Sequence, residues 1–301
     1  MKLTILGCYS ATPRAFTNPT SQVLDIKGNL FLIDCGEGSQ VQLRKFKVKF
    51  SRIKNIFISH LHGDHFNGLI GFISTLRLLG RETDLHIYGP KGIKEAILLL
   101  LKLSNSYGGY ELIFHELESK ESELIYEDDK VTVHTIPLVH RVYTNGFLFN
   151  EKVGDRKLNI VALEDNHIEQ CDYRNIKLGK DVLNSKGDLI KNKLVSLDPD
   201  PPKSYAFCSD TKYNEAIIPI IKDVTTLYHE STFLEEHSHL CNKTKHSTAK
   251  EAATIASKAN VNKLILGHFS TRYGGIECFK EEAEKVFENV FLGDDGKEFI
   301  L

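Results

Sequence analysis

Chemistry is concentrated in one short stretch, Ser59-His60-Leu61-His62-Gly63-Asp64-His65. Three histidines and an aspartate fall within six positions, between an apolar run and a helical pattern. Imidazole and carboxylate are ligands for zinc and similar borderline metals, and a chain turning out of a strand aims alternate side chains at one point. His60 and His62, two apart, suit one ion. Asp64 and His65, past the bend at Gly63, are displaced and suit a second. One loop does not complete two coordination spheres, so other segments must contribute. Three candidates follow strand-like runs: His140 after Val131–Ile136, Asp210 after Tyr205–Cys208, and His268 after Lys263–Leu266. A carboxylate can give one oxygen to each of two ions, which suits Asp210 to a bridging place.

The elements that must hold these residues alternate from end to end, the mark of an α/β chain. Leu3–Gly7, Gln22–Ile26, Leu30–Ile33, Ile56–Ser59 and Leu85–Tyr88 read as strands. Glu37–Lys45, Phe66–Leu79 and Ile93–Leu103 read as helices, the second with Leu69, Phe72, Ile73, Leu76 and Leu79 at helical spacing. The later part repeats the theme. Strands are expected at Tyr205–Cys208, Thr226–His229, Lys263–Leu266 and Val290–Leu292, and helices at Glu215–Ile221, Thr248–Ala259 (capped by Ser247) and Phe279–Glu288. Residues 150–193 are polar with weak periodicity and read as an inserted arm.

The chain has 301 residues, 41% hydrophobic and 26% charged, which excludes a disordered chain. Lys plus Arg (38) against Asp plus Glu (40) gives a net charge of −2, which excludes a globally basic nucleic-acid binder but not a local basic patch. The longest apolar run, Ala96–Leu101, is too short for a membrane span, and no signal-peptide core is visible, so a cytoplasmic protein is expected. Six scattered cysteines without a Cys-x-x-Cys pair read as reduced, mostly buried thiols.

Further segments belong beside the histidine loop. They are Asp34-Cys35-Gly36-Glu37-Gly38-Ser39-Gln40, Gly68 to Arg81, Ile87-Tyr88-Gly89-Pro90, Ser209-Asp210-Thr211, His229-Glu230-Ser231-Thr232-Phe233, His246-Ser247-Thr248 and Leu266-Gly267-His268. In this order they resemble the metallo-β-lactamase superfamily and, within it, the short-form ribonuclease Z family, over most of the chain. The resemblance implies one metallo-β-lactamase αββα sandwich over 1–301, two mixed β-sheets flanked by helices and related by internal pseudo-symmetry. It also implies a tRNA-binding exosite arm inserted at 150–193. Carried over by position, His60, His62, His140 and Asp210 would hold one zinc; Asp64, His65, His268 and the bridging Asp210 would hold the other. Manganese or iron suit the same donors. Glu230 and His246 match positions associated with proton transfer at the departing oxygen.

That implies a zinc-dependent endoribonuclease that removes the 3′ trailer from precursor tRNA. A hydroxide held between two cations is a nucleophile at neutral pH. Asp64 orients it or takes its proton, and His246, oriented by Glu230, protonates the poor ribose leaving group. The family implies a homodimer. The nearest rival is another hydrolase of the fold, such as a small-molecule phosphodiesterase, which would need neither the arm nor the 229–233 and 246–248 segments. A catalytically idle RNA-binding relative would be expected to have lost ligands, and all seven candidates are present.

For grip on RNA, Arg44, Lys45, Lys47, Lys49, Arg52 and Lys54 place six bases in eleven residues without an acid, just upstream of the metal loop. The arm carries nine basic and eight acidic residues, so contact is expected from local cations such as Lys177 and Lys180. Two departures from the family pattern stand out. Gly179-Lys180 replaces a common Gly-Pro in the arm. In the loop Thr12–Ser21, Phe16-Thr17-Asn18-Pro19-Thr20 replaces a tighter Arg-Asn pattern, which weakens a role for Arg14.

Overall fold

In the computed structural model, which describes residues 1–106 and 108–301, two seven-stranded sheets carry the larger of two units, residues 1–150 with 203–301. The first sheet runs Glu298–Ile300, Lys2–Gly7, Ser21–Ile26, Asn29–Cys35, Ile53–Phe57, Leu85–Pro90, Leu112–Leu117. Its first three pairings are antiparallel and its last three parallel. The second runs Val290–Leu292, Lys263–Gly267, Thr226–Glu230, Ser204–Cys208, Asn145–Glu151, Val131–Pro137, Leu124–Glu127. Three parallel pairings again adjoin antiparallel ones. This is the α/β sandwich with two mixed sheets that the sequence implied.

Alternation along the strands sends side chains to both faces of each sheet. Between the sheets, Phe31 and Phe57 of the first meet Phe147 and Phe149 of the second, with ring centroids 5.3–5.6 Å apart. On the outer face of the first sheet, Leu32, Ile56 and Ile87 pack with Leu69, Phe72 and Ile73 of the helix Gly68–Leu78 and with Ile93 and Ile97 of the helix Ile93–Leu103. The helices Ala249–Lys258 and Glu277–Ala283 cover the second sheet.

Three sequence expectations are corrected. Glu215–Ile221 holds only a 3₁₀ turn, Glu215–Ile217, because Pro219 has no N–H to extend the ladder. The helix expected at Phe279–Glu288 lies at Glu277–Ala283. The cap of Ala249–Lys258 is Thr248 rather than Ser247, in a reciprocal capping box with Glu251. The Ser247 hydroxyl is committed to the Thr211 carbonyl at 2.7 Å.

The smaller unit is Glu151–Pro202, so it runs past the expected end at 193. It contains helices Ile160–Asp165, Tyr173–Lys177 and Asn192–Val195 and two short antiparallel ladders, one closed by Ser196–Leu197. Leu163, Ile168, Ile176, Val182 and Val195 form its buried core.

Candidate metal centre

The ends of the strands in both sheets supply the site. After Ile53–Phe57 the chain continues through Ser59 to His60 and His62, and the helix Gly63–Phe66 then carries Asp64 and His65. This turn packs tightly on the end of Asn29–Cys35. A Cβ on Gly36 would come within 2.5 Å of the Asp64 carbonyl oxygen, and one on Gly68 within 1.9 Å of the Gly36 oxygen. Only glycine tolerates backbone that close. From the second sheet, His140 follows Val131–Pro137, Asp210 follows Ser204–Cys208, Glu230 ends Thr226–Glu230 and His268 follows Lys263–Gly267.

These residues form two groups joined by one carboxylate. His60, His62, His140 and Asp210 offer ligand atoms all within 4.8 Å of one another, as do Asp64, His65 and His268. Asp210 Oδ2 lies 3.8 Å from His60 Nε2 and 3.9 Å from His140 Nε2. Its Oδ1 lies 3.2 Å from His268 Nε2 and 3.6 Å from His65 Nε2. Thus each oxygen of Asp210 faces a different group. Asp64 Oδ2 is 3.5 Å from both His65 Nε2 and His268 Nε2.

Hydrogen bonds on the far side of the rings decide which nitrogen faces inward. Asp34, fully buried, accepts from Ser59 N (2.7 Å), Ser59 Oγ (2.8 Å) and His65 Nδ1 (2.7 Å). The Ser59 hydroxyl, having donated to Asp34, accepts from His60 Nδ1 at 3.0 Å. His140 Nδ1 donates to the Lys245 carbonyl at 3.0 Å. Thr232 Oγ1 donates to Glu230 Oε2 at 2.7 Å and accepts from His268 Nδ1 at 2.9 Å. Four histidines therefore turn Nε2 into the cluster, those of His60 and His140 lying 2.9 and 3.2 Å from His62 Nδ1. The Nε2 atoms of His65 and His268 are buried without a hydrogen-bond partner. Converging lone pairs beside carboxylates are the donor set that a divalent borderline cation satisfies, so the residues fit a metal. Asp34 and His268 both sit at positive φ, 54° and 59°, conformations that non-glycine residues adopt only when surroundings enforce them.

Burial holds the His60, His62 and His140 imidazoles below their ordinary pKa, in the neutral form a ligand needs. Burial would do the same to His65, but Asp210, Asp34 and Asp64 outweigh it and raise its pKa; a metal held at Nε2 would take that proton's place. Burial opposes ionisation of Asp210, yet His268, His65 and His246 overcome it and hold the carboxyl well below the usual range.

A hydrogen-bonded carboxylate–imidazole couple adjoins the groups. Glu230, fully buried, accepts from His246 Nδ1 at 2.7 Å, from the backbone N–H of Thr211, Thr232 and Ser247, and from the Thr232 hydroxyl. Burial would lower the His246 pKa, but Glu230 and Asp210 raise it to about 9. The His246 ring lies 5.1 Å from that of His140 and 5.2 Å from that of His268.

A cavity of about 520 Å³ opens over the cluster, walled by Ser10, Thr12, His62, Asp64, Arg141, Thr232, His246 and Arg272 among others. Arg44, Lys45, Lys47 and Lys49 are absent from its lining. Arg44 and Lys45 end the helix Ser39–Lys45 and lie over the rings of Phe50 and Phe46. Lys47 and Lys49 line another cavity, of about 210 Å³, with Lys2, Asp25, Arg52 and Glu298. Lys177 and Lys180 are exposed on the smaller unit. Sequence reasoning missed Asp34, Ser59 and Thr232 as supports, and Arg141 and Arg272 as cavity cations. The signal for the two arginines was position: they follow His140 by one residue and His268 by four.

Comparison with known proteins agrees with this geometry. The chain is 45% identical to the ribonuclease Z of Porphyromonas gingivalis over 97% of its own length and 96% of that protein. It is 44% identical to the ribonuclease Z of Cytophaga hutchinsonii, over 100% of its length and 96% of that protein. Among solved structures, human tRNase Z, short form, matches with a TM-score of 0.73 and 25% identity, covering 100% of this chain and 99% of that one. The metallo-β-lactamase fold protein YhfI of Bacillus subtilis matches with a TM-score of 0.71 at 18% identity, over 99% of this chain and 98% of that one, a likeness of fold. A family model described as anti-Pycsar protein Apyc1 also matches residues 1–287. With these relatives and this arrangement of strand ends, the chain belongs to the ribonuclease Z family of metallo-β-lactamase-fold proteins.

Proposed function

We infer that this chain is a tRNA 3′-processing endoribonuclease, cutting one phosphodiester so that the trailer leaves precursor tRNA. The observation that carries the reading is the two ligand groups joined through Asp210, with the buried Glu230–His246 couple beside them. His60, His62, His140 and Asp210 would hold one zinc, and Asp64, His65, His268 and the same Asp210 a second; manganese or iron suit these donors too. Two such ions, when bound, lower the pKa of water toward about 7 and neutralise phosphoryl oxygens as charge builds. Asp64 takes a proton from the attacking water as its oxygen bonds to phosphorus. His246 gives a proton to the ribose 3′-oxygen as the phosphorus–oxygen bond breaks, leaving a tRNA 3′-hydroxyl and a trailer 5′-phosphate. Glu230 fixes the imidazole through Nδ1, so Nε2 is the atom left to serve the departing oxygen.

Grip on the polyanion falls to cations outside the cluster. The smaller unit would dock tRNA through local bases, Lys177 and Lys180 among them, and Arg44, Lys45, Lys47 and Lys49 would add phosphate contacts. A homodimer is favoured by exposed Leu78, Leu79, Leu99, Leu100 and Leu103, on or beside the helices Gly68–Leu78 and Ile93–Leu103. A cytoplasmic place is favoured by six free cysteines, four of them buried. Among the described residues no helix is long and apolar enough to cross a membrane.

The test incubates the zinc-loaded chain with end-labelled precursor tRNA. One 5′-phosphorylated trailer is expected from the native chain and none from Asp64→Ala. No release, or release unchanged in the variant, overturns the reading; turnover of bis(p-nitrophenyl) phosphate alone would favour a small-molecule phosphodiesterase. Deleting residues 155–185 should raise the KM for precursor tRNA and spare the small diester. Equal loss on both would sink the docking role.

A further inference from the structure

The loop whose first residues line the cavity carries an aromatic ring that the reaction does not use. Phe16 is 95% exposed and is the one phenylalanine among the exposed large apolar residues described. The loop that carries it is held firmly. Tyr9 bridges to Pro19 and to Phe269, and Ser10 N donates to the Phe269 carbonyl at 3.2 Å. Arg14 pairs with Thr17 across a tight turn that puts Ala15 and Phe16 at the tip. The Arg14 guanidinium donates to the carbonyls of Thr271 and Tyr273, and the Asn18 amide donates to Asp295 at 2.7 Å.

Both partners of this clasp border the site. Ser10, Ala11 and Thr12 from the loop, and Ser270, Thr271 and Arg272 from the segment after His268, line the cavity. Thr271 lies three residues past His268, at most about 11 Å of chain away. The tip therefore stands within a few nucleotides' reach of the metal cluster. Arg14 is the only charged residue between Ser10 and Thr20, and its guanidinium is occupied by carbonyls. With the loop's one cation tied through Nη2 to the segment after His268, the ring is the exposed apolar group the loop offers. Unpaired RNA next to a scissile bond offers bases whose faces stack on aromatic side chains whatever their sequence.

We propose that Phe16 is a stacking platform for one nucleobase of the unpaired RNA flanking the cleaved bond, and so a substrate-positioning residue. The proposal rests on the endoribonuclease reading. Its test uses the zinc-loaded chain and a single-stranded oligonucleotide of trailer sequence with one 2-aminopurine, walked along the positions beside the cut. Quenching of that fluorophore at one position is expected with the native chain and with Phe16→Tyr, and its loss with Phe16→Ala and Phe16→Leu. On precursor tRNA, Phe16→Ala should raise KM roughly tenfold, the scale of one base–aromatic stack, with the effect on KM rather than kcat. An abasic nucleotide at the quenched position should erase that difference. Equal quenching in Phe16→Ala, rescue by Phe16→Leu, or a change in sedimentation that marks Phe16 as a contact between copies would each overturn the proposal. The fluorescence readout needs no cleavage, so its failure is distinct from a failure of native trailer release.

Discussion

The two sheets furnish the site in different ways. The first supplies one contiguous loop, His60 to His65, whose supports are local: Asp34 at the neighbouring strand end and glycines that let the backbones touch. The second supplies His140, Asp210, Glu230 and His268 singly, from four strand ends. There the ladder itself is the positioning device. Cys208, His229 and Leu266 stand in register across parallel strands, so Asp210 and His268 each emerge two residues beyond one common row. A contiguous motif tolerates error in fold register, whereas a dispersed one depends on it. Asp210 is where the two contributions meet.

Asp210→Ala is therefore the harshest way to break the comparison, because on the proposed reading it would strip a ligand from both groups. Trailer release should fall by at least about 10³-fold, the scale of several kcal/mol of transition-state stabilisation. Elemental analysis should find less than one ion per chain, while His140→Ala should keep about one. Native metal content in Asp210→Ala would separate the two groups and refute a shared carboxylate.

Next in size is the proton couple, which belongs to the second sheet and the segment before its helix. His246→Ala should slow release from a ribose leaving group by about 10²–10³-fold. A p-nitrophenolate leaving group needs no acid and should be nearly indifferent. The sign of the pH effect follows from the geometry. Glu230 holds the His246 pKa above its ordinary value, so its acid form is present below the raised pKa and lost above it. Glu230→Gln removes the largest raising influence, so the alkaline limb of kcat should move to lower pH. A limb that stays in place would remove His246 from the acid's role.

A smaller effect compares the supports. Asp34→Asn weakens the acceptor that orients His65 and Ser59, and metal affinity should drop by roughly 10–100-fold, as measured by chelator competition. Thr232→Ala removes the link from Glu230 to His268 and should act on the second group alone. If both variants weaken both ions equally, the separate-support account fails.

The unequal legibility of the site has the same physical origin. The histidine loop is readable because its chemistry lies within six positions. His140, Asp210 and His268 became readable only through a repeated pattern, a polar ligand type just past an apolar strand. Asp34 escaped a role because an aspartate at a strand end looks like any turn residue until its three donors are seen. Helix ends were misplaced where tertiary demands overrode local signals, as when Ser247 turned to the Thr211 carbonyl and left the cap to Thr248. The smaller unit read only as a polar inserted arm of weak periodicity because its five core residues are spread over more than thirty positions of polar chain.

The smallest effect tests the reading that was hardest to place from sequence. Proximity along the chain suggested that the basic stretch leads RNA to the histidines. Yet Lys54 lies in the strand Ile53–Phe57 six residues before His60, roughly 20 Å of extended chain, and Lys47 and Lys49 line a different cavity with Asp25 and Glu298. Cations so placed would touch phosphates far from the cut and add little in physiological salt, where screening acts within about 8 Å. Lys47→Ala with Lys49→Ala should therefore raise the KM for precursor tRNA only about two- to threefold, and more at low salt than at high. The small diester should be turned over as by the native chain. A tenfold or salt-independent rise would mean that RNA crosses this end of the strands on its way to the metal cluster. The contrast between a strand-end site and a remote basic surface would then have to be redrawn.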